Sequence, residues 1–285
     1  MIIIKDIVKM QKIALGLKRR GKSLGFVPTM GALHDGHASL IKRAVKENDV
    51  TVVSIFVNPA QFGPNEDYLL YLRPFNNDKK ICINLGVDYI FIPTAEEMYP
   101  KDYLTFVNVN KMTEVLCGGF RPGHFKGVAT IVSKLFNIVQ PDKAYFGLKD
   151  YQQLKVIERM AKDLNFPVKI VPCPIIREKS GLALSSRNTY LSKEEKLSSL
   201  KIQESLKLAE EMIKGGIKDT GKVLNNVTAN IKKIPGSKID YIKIVHPDSL
   251  EYLKTIKLPA VIAVAAWVGK TRLIDNIIIN KGKAK

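Results

Sequence analysis

The chain has 285 residues, 46% hydrophobic and 25% charged; this globular composition argues against disorder, and the length gives a prior of two domains at roughly 150 residues each. Lys and Arg number 45 against 27 Asp and Glu, a formal charge of +18, and the excess is concentrated in residues 143–285, with 27 basic and 14 acidic side chains. Only 9 of the basic residues are Arg, the side chain suited to bidentate base contacts, so the Lys excess reads as solvated surface and no nucleic-acid partner is expected.

At the N-terminus, MIIIKD carries no basic segment ahead of a long apolar run, so no secretory signal is expected. Leu24–Thr29 predicts a strand, and a helix is expected from His37 to Glu47. Val50–Val57 is β-branched and apolar nearly throughout, the pattern of a strand buried on both faces of a parallel sheet. A helix over Asn77–Leu85 and a strand over Tyr89–Ile92 follow. Val128, Ile131, Leu135 and Ile138 recur at helical spacing. Ala144–Phe146 predicts a strand, then a helix with Leu154, Ile157, Ala161 and Leu164 on one face, then a strand at Val168–Val171. This alternation predicts an α/β fold, a Rossmann-like doubly wound parallel sheet.

The pattern changes after about Pro174. Ser192 and Glu195 are spaced as a capping box, predicted to open a helix that carries Ile202, Leu206, Ala209 and Ile213 and ends near Gly215-Gly216. A second helix runs from Thr220 to Lys232, Pro235-Gly236 marks a turn, and strands are expected at Ile239–Val245, Ala260–Val268 and Arg272–Ile279. The tail KGKAK reads as frayed. The expected division is residues 1–175 and a smaller C-terminal α+β domain, 176–285. Pro259–Val268, the longest apolar stretch near the end, is about half a membrane span, so no membrane partner is expected. Cys82, Cys117 and Cys173 are odd in number with no C-x-x-C, which excludes a disulfide framework and a Cys-rich zinc site and favours a reducing, cytoplasmic setting.

Three segments carry chemistry. The first, Pro28–His37 (PTMGALHDGH), links a predicted strand to a helix, where N–H groups and the positive helix end favour phosphate. His34 and His37, three apart, share a helix start, and Gly31 and Gly36 allow close backbone approach; a tight turn with two surface histidines is the alternative. The second is Gly147–Gln153 (GLKDYQQ), where Lys149 is a point charge for phosphate and Asp150 with Gln153 alternatively forms a helix cap. The third, Gly181–Asn188 (GLALSSRN), offers two hydroxyls and Arg187 as phosphate donors, or else is a polar linker. No G-x-G-x-x-G is present, and Gly269-Lys270-Thr271 lacks the earlier glycine of a Walker A loop and reads as a strand connection.

The H-x-G-H turn with a later Ser-rich basic loop resembles the nucleotidylyl-transferase superfamily that includes class I aminoacyl-tRNA synthetases. VPTMGALHDGH, VSIFVNPAQFGPNEDY, RPGHFKGV, YFGLKDYQQ, GLALSSRN and GKTRLIDNI, in that order, resemble the pantoate–β-alanine ligase family. The resemblance implies an ATP-dependent enzyme that forms pantoyl adenylate and then pantothenate. It places Met30, Gly31, Ala32, Leu33, His34, Asp35, Gly36 and His37 in the ATP site, with Gly147, Leu148, Lys149, Asp150 and Ile176 on the nucleotide. It makes Leu184, Ser185, Ser186 and Arg187 a loop over the triphosphate, in a C-terminal lid domain. Gln61 and Gln153 hold pantoate with Asn58 nearby, and His37, His34 and Lys149 are the catalytic candidates. It also implies Mg²⁺ and a homodimer. This chain departs from the family in reading Tyr71-Leu72-Arg73 for Y-P-R and Asn77-Asp78 at two usually acidic positions, which leaves Asp78 as a weak Mg²⁺ candidate. Leu184 stands where the family often has Met, a volume-conserving change.

Overall fold

The β-branched run Val50–Ile55 (β3) lies inside a parallel sheet with Thr51 to Ser54 buried, as apolar side chains on both faces require. The computed structural model describes residues 1–64 and 66–281; residues 282–285 of the tail expected to fray lie outside the described residues. The sheet order is β1 (Ile2–Ile4), β4 (Tyr89–Phe91), β3, β2 (Leu24–Thr29), β5 (Lys143–Gly147), β6 (Lys169–Cys173), with parallel pairing throughout. Neighbouring residues on each strand face opposite ways. Phe26, Val52, Ala144 and Phe146 therefore pack with α1 (Ile7–Arg19), α5 (His124–Val139) and α6 (Tyr151–Asp163). Val27, Val53 and Tyr145 pack on the other face with α2 (Asp35–Glu47) and α3 (Phe75–Asn84). Helices on both faces of a parallel sheet make the doubly wound architecture that the alternating pattern predicts.

From β2 the chain builds outward through β3 and β4, then returns to the other side of β2 with β5 and β6. The strand order reverses at β2, and open α/β sheets bind ligands outside the carboxyl ends of the strands at such a reversal.

Contact density divides the chain into two units. The first comprises Met1–Asn110, Arg121–Leu148 and Gln153–Ile175; the second comprises Lys111–Phe120, Lys149–Gln152 and Ile176–Lys285. The second unit is an antiparallel sheet, β7 (Lys238–Val245), β8 (Ala260–Val268) and β9 (Thr271–Ile279), packed against α8 (Leu200–Lys214) and α9 (Thr220–Ile231). The stripe Ile202, Leu206, Ala209 and Ile213 is buried there, and Gly269 with a φ of 55° turns β8 into β9.

Two expectations change, and two elements come in addition. The Ser192 box forms, with Glu195 N–H donating to Ser192 Oγ at 3.1 Å and Ser192 N–H to Glu195 Oε2 at 2.8 Å, but it opens only α7 (Lys193–Ser198). The Ser199 hydroxyl donates back to the Glu195 carbonyl at 2.7 Å, a bond that bends helices, and α8 starts afresh beyond it. Leu164 is not on the buried face of α6: the helix ends at Asp163, Asn165 turns at a φ of 54°, and Leu164 is half exposed. The N-terminal β1 and α1 are the additions: they extend the sheet by a strand and cover one face.

Candidate active site

The H-x-G-H segment leaves β2 and enters α2 at the reversal point. His34 occupies the helix cap: its Nδ1 accepts the Gly36 N–H at 3.1 Å, and His37 Nδ1 returns to the His34 N–H at 3.4 Å. This is a capping box made of two imidazoles. Both rings use Nδ1 as acceptor, so each neutral ring carries its proton on Nε2. Their centroids lie 4.1 Å apart. The two-histidine spacing is thus a local folding signal that also orients two Nε2–H groups. Asp35, exposed in the first turn, suits the positive helix end.

Ahead of the cap, Gly31 at a φ of 83° and Ala32 at 50° are successive left-handed residues. This turn points the adjacent N–H groups of Ala32 and Leu33 at one small anion-sized site. The buried Asp78 of α3 fills it: Ala32 N–H donates to Oδ2 at 2.9 Å and Leu33 N–H to Oδ1 at 2.8 Å. A Cβ on Gly31 would stand 3.0 Å from Asp78 Oδ2 and from Ile55, so glycine is needed for space as well as φ. Burial pushes the Asp78 carboxyl up, against the Leu33 and Ala32 hydrogen bonds that pull it down. Asp78, the weak Mg²⁺ candidate, thus braces the loop through both of its oxygens. Among the described residues no group of three or more His, Cys, Asp or Glu is placed to hold a metal ion.

Gln61 is buried in a polar network. Its Nε2 donates to Met30 Sδ at 3.1 Å, and Asn58 Nδ2 donates to its Oε1 at 3.1 Å and to the Gly127 carbonyl at 3.1 Å. Tyr99 donates to Asn58 Oδ1 at 2.8 Å. The structure thus brings Met30, Asn58 and Gln61 together as neighbours. Gln153 stands half-buried in the first turn of α6, and among the described residues no hydrogen bond joins it to Gln61. Gly147 and Leu148 lie at the carboxyl end of β5, the strand beside β2.

In the second unit, Lys149 and Asp150 form an ion pair at 4.0 Å, and Asn276 Nδ2 donates to the Lys149 carbonyl at 2.9 Å. Gln152 is buried, bonded to the backbone of Met112, Val115 and Cys117. Ile176 and Leu184 are joined by a 3.0 Å backbone bond. Ser185 caps the turn Ser186–Tyr190 by accepting the Arg187 N–H at 3.3 Å, and Asn188 ties it to the Ala183 carbonyl. Arg177 pairs bidentately with Asp275 at 2.6 and 2.9 Å. The Gly181–Asn188 segment is thus a built loop, not a slack linker.

Tyr99, Arg121, His124 and Asn276 join these networks without a role legible in the sequence. Arg121, His124 and Asn276 lie in RPGHFKGV and GKTRLIDNI, but nothing in the spacing says what they touch, and Tyr99 carries no sequence signal.

A strand-to-helix turn of this kind, at the reversal of a parallel sheet, places the chain in the doubly wound α/β class, whose ligands sit at that reversal. The family model for pantoate–beta-alanine ligase matches residues 2–278, and the chain belongs to that family. It is 55% identical to a pantothenate synthetase of Caldicellulosiruptor bescii over 98% of this chain and 99% of that one. It is 57% identical to another from Endomicrobium trichonymphae, over 99% of each. The fold superposes on a pantothenate synthetase of Thermus thermophilus with a TM-score of 0.93 at 42% identity, covering 99% of this chain and 100% of that one. It superposes on a pantoate–beta-alanine ligase of Francisella tularensis, solved with beta-gamma ATP and beta-alanine, with a TM-score of 0.80 at 38% identity and full coverage of both.

Proposed function

We propose that this chain condenses pantoate with β-alanine at the expense of ATP, through a pantoyl adenylate. The pantoate carboxylate attacks the α-phosphorus of ATP and pyrophosphate leaves. The β-alanine amine then attacks the acyl carbon, and AMP leaves as the amide forms. The first step needs no protein nucleophile, because the substrate carboxylate is one. It needs anion repulsion relieved and an in-line geometry held.

The observation that carries the reading is the imidazole capping box at the sheet reversal, within a chain matching one ligase family over residues 2–278. Met30–His37 with Gly147 and Leu148 form the ATP face, and the Nε2–H groups of His34 and His37 donate to phosphate oxygens. Lys149 and Arg187 supply charge to the phosphates, Ser185, Ser186 and Leu184 line them, and Asp150 and Ile176 meet the nucleoside. Gln61 suits pantoate: its carboxamide uses one N–H and one acceptor site within the protein, leaving one of each for the substrate. Asn58 and Gln153 complete that side. Mg²⁺ belongs with the substrate as MgATP, since this ion keeps its waters and binds phosphates with few protein ligands. The family resemblance supports a homodimer and a cytoplasmic location.

The test is AMP release by the purified protein with MgATP. Release dependent on both pantoate and β-alanine is expected; none, or release without pantoate, overturns the reading. His37→Ala and Lys149→Ala should each lose at least tenfold in turnover with an unchanged fold, since one group stabilising developing charge is worth that much or more. Unchanged turnover removes that residue from its role.

A further inference from the structure

Behind Gln61 lies a chain of charged and polar groups that the substrate assignment does not use. His124 opens α5 and is buried. Its Nδ1 lies 2.8 Å from the Gln61 carbonyl oxygen, which can only accept, so Nδ1 carries a proton. Its Nε2 lies 3.1 Å from Arg121 Nη1, which can only donate, so Nε2 is bare. The two contacts together select one neutral tautomer, opposite to that of His34 and His37. Arg121 Nη2 also reaches the Gln61 carbonyl at 3.4 Å. Arg121 is in turn gripped by Glu66, with Nε to Oε1 at 2.7 Å and Nη2 to Oε2 at 2.5 Å. Burial opposes ionisation of Glu66, yet the Arg121 hydrogen bonds and charge hold its carboxyl below the usual range. Gly127, one turn into α5, brings the helix so close that a Cβ there would fall within 2.2 Å of the Ala60 carbonyl oxygen. The main chain of Gln61 is therefore pinned from one side by α5, while Asn58 and Tyr99 orient its carboxamide from the other.

We propose that Arg121 and His124 are positioning residues for pantoate recognition, with Glu66–Arg121 holding His124 as the Nδ1–H tautomer that locks the Gln61 backbone. Neither residue needs to touch substrate. Their effect is on where the Gln61 carboxamide points, and hence on pantoate and not on ATP. This rests on Gln61 being a pantoate residue.

The experiment is pantoate-dependent ATP–pyrophosphate exchange, which isolates adenylate formation. His124→Ala should raise the KM for pantoate about tenfold while the KM for ATP stays within about twofold, the two-bond loss corresponding to a factor of ten per 1.4 kcal/mol. His124→Asn places an amide where Nδ1 stood and should restore most of the pantoate KM; His124→Gln reaches the Nε2 side and should not. Arg121→Lys, which loses the planar fork, should raise the pantoate KM in the same direction. A pantoate KM unchanged in His124→Ala, or a rise shared equally by ATP, overturns the proposal, as does equal rescue by Gln and Asn. If the unsubstituted protein shows no pantoate-dependent exchange, the substrate assignment itself fails, and that outcome is distinct.

Discussion

Asp78 shows how a residue's chemistry is decided by what faces it. By type and position it offers oxygens to a cation; in the fold both oxygens accept main-chain N–H groups of the H-x-G-H loop. Asp78→Asn keeps the shape but turns one acceptor into a donor facing an N–H. A loss of about 1–3 kcal/mol is expected, measurable in thermal unfolding, with reduced exchange activity as the loop loosens. A variant of unchanged stability and activity refutes the loop-holding role. Asp49 is the opposite case. The Ser23 hydroxyl and backbone N–H, with Lys22 beside them, pull its carboxyl down to about 2 from the ordinary 3.8. The folded value lies below the unfolded one, so ionised Asp49 stabilises the fold above about 3.8 and that contribution disappears as pH falls through about 2. Urea midpoints of the unsubstituted protein and Asp49→Asn should differ at neutral pH and converge toward pH 2. A constant difference refutes the assignment.

Among the elements, α5 is the one whose placement governs the Pro59–Gln61 turn. Its apolar face packs under the sheet, and Gly127 lets its N-terminal turn lie against the Pro59–Gln61 turn. Gly127→Ala puts a methyl group into rigid backbone, so a destabilisation of about 1–3 kcal/mol is expected. Pantoate affinity should fall with it, because the obstructed atoms are those of Ala60 and Gln61. Equilibrium unfolding and the pantoate KM check this together. The period of α5 was legible from Val128 to Ile138, because burial repeats every 3.6 residues. The role of its first turn was not, because Gly127, His124 and Arg121 meet residues about 60 positions earlier in the chain. The α7–α8 break was illegible for a local reason: Ser199 fits the helical pattern, and the back-bond to Glu195 that accompanies the break follows from no spacing.

At the scale of the molecule, the charge of +18 is the feature most open to misreading. Lys149 and Arg187 are assigned to phosphates, and most of the remaining lysines have no assigned partner. The expectation is that RNA binds weakly and with a steep loss between 50 and 200 mM salt, as for non-specific contacts. A tight complex surviving that range, read by gel shift, would show a nucleic-acid function beyond the ligase reaction. Among the described residues no helix is long and apolar enough to cross a membrane.

The sequence by itself determined the alternation of strands and helices, the change of pattern near residue 175, the segments that carry chemistry and the family they resemble. Those depend on periodicity, caps and turns, which act over a few residues, and on ordered motifs. Only the tertiary structure decided the strand order that sets the H-x-G-H turn at the reversal of the sheet. Only it showed Asp78 accepting the loop's amides and the Glu66–Arg121–His124 chain behind Gln61. The physical reason is the same in each case: hydrogen bonds and close packing between residues distant in the chain are settled by which elements pack together, and no local pattern encodes the identity of the partner.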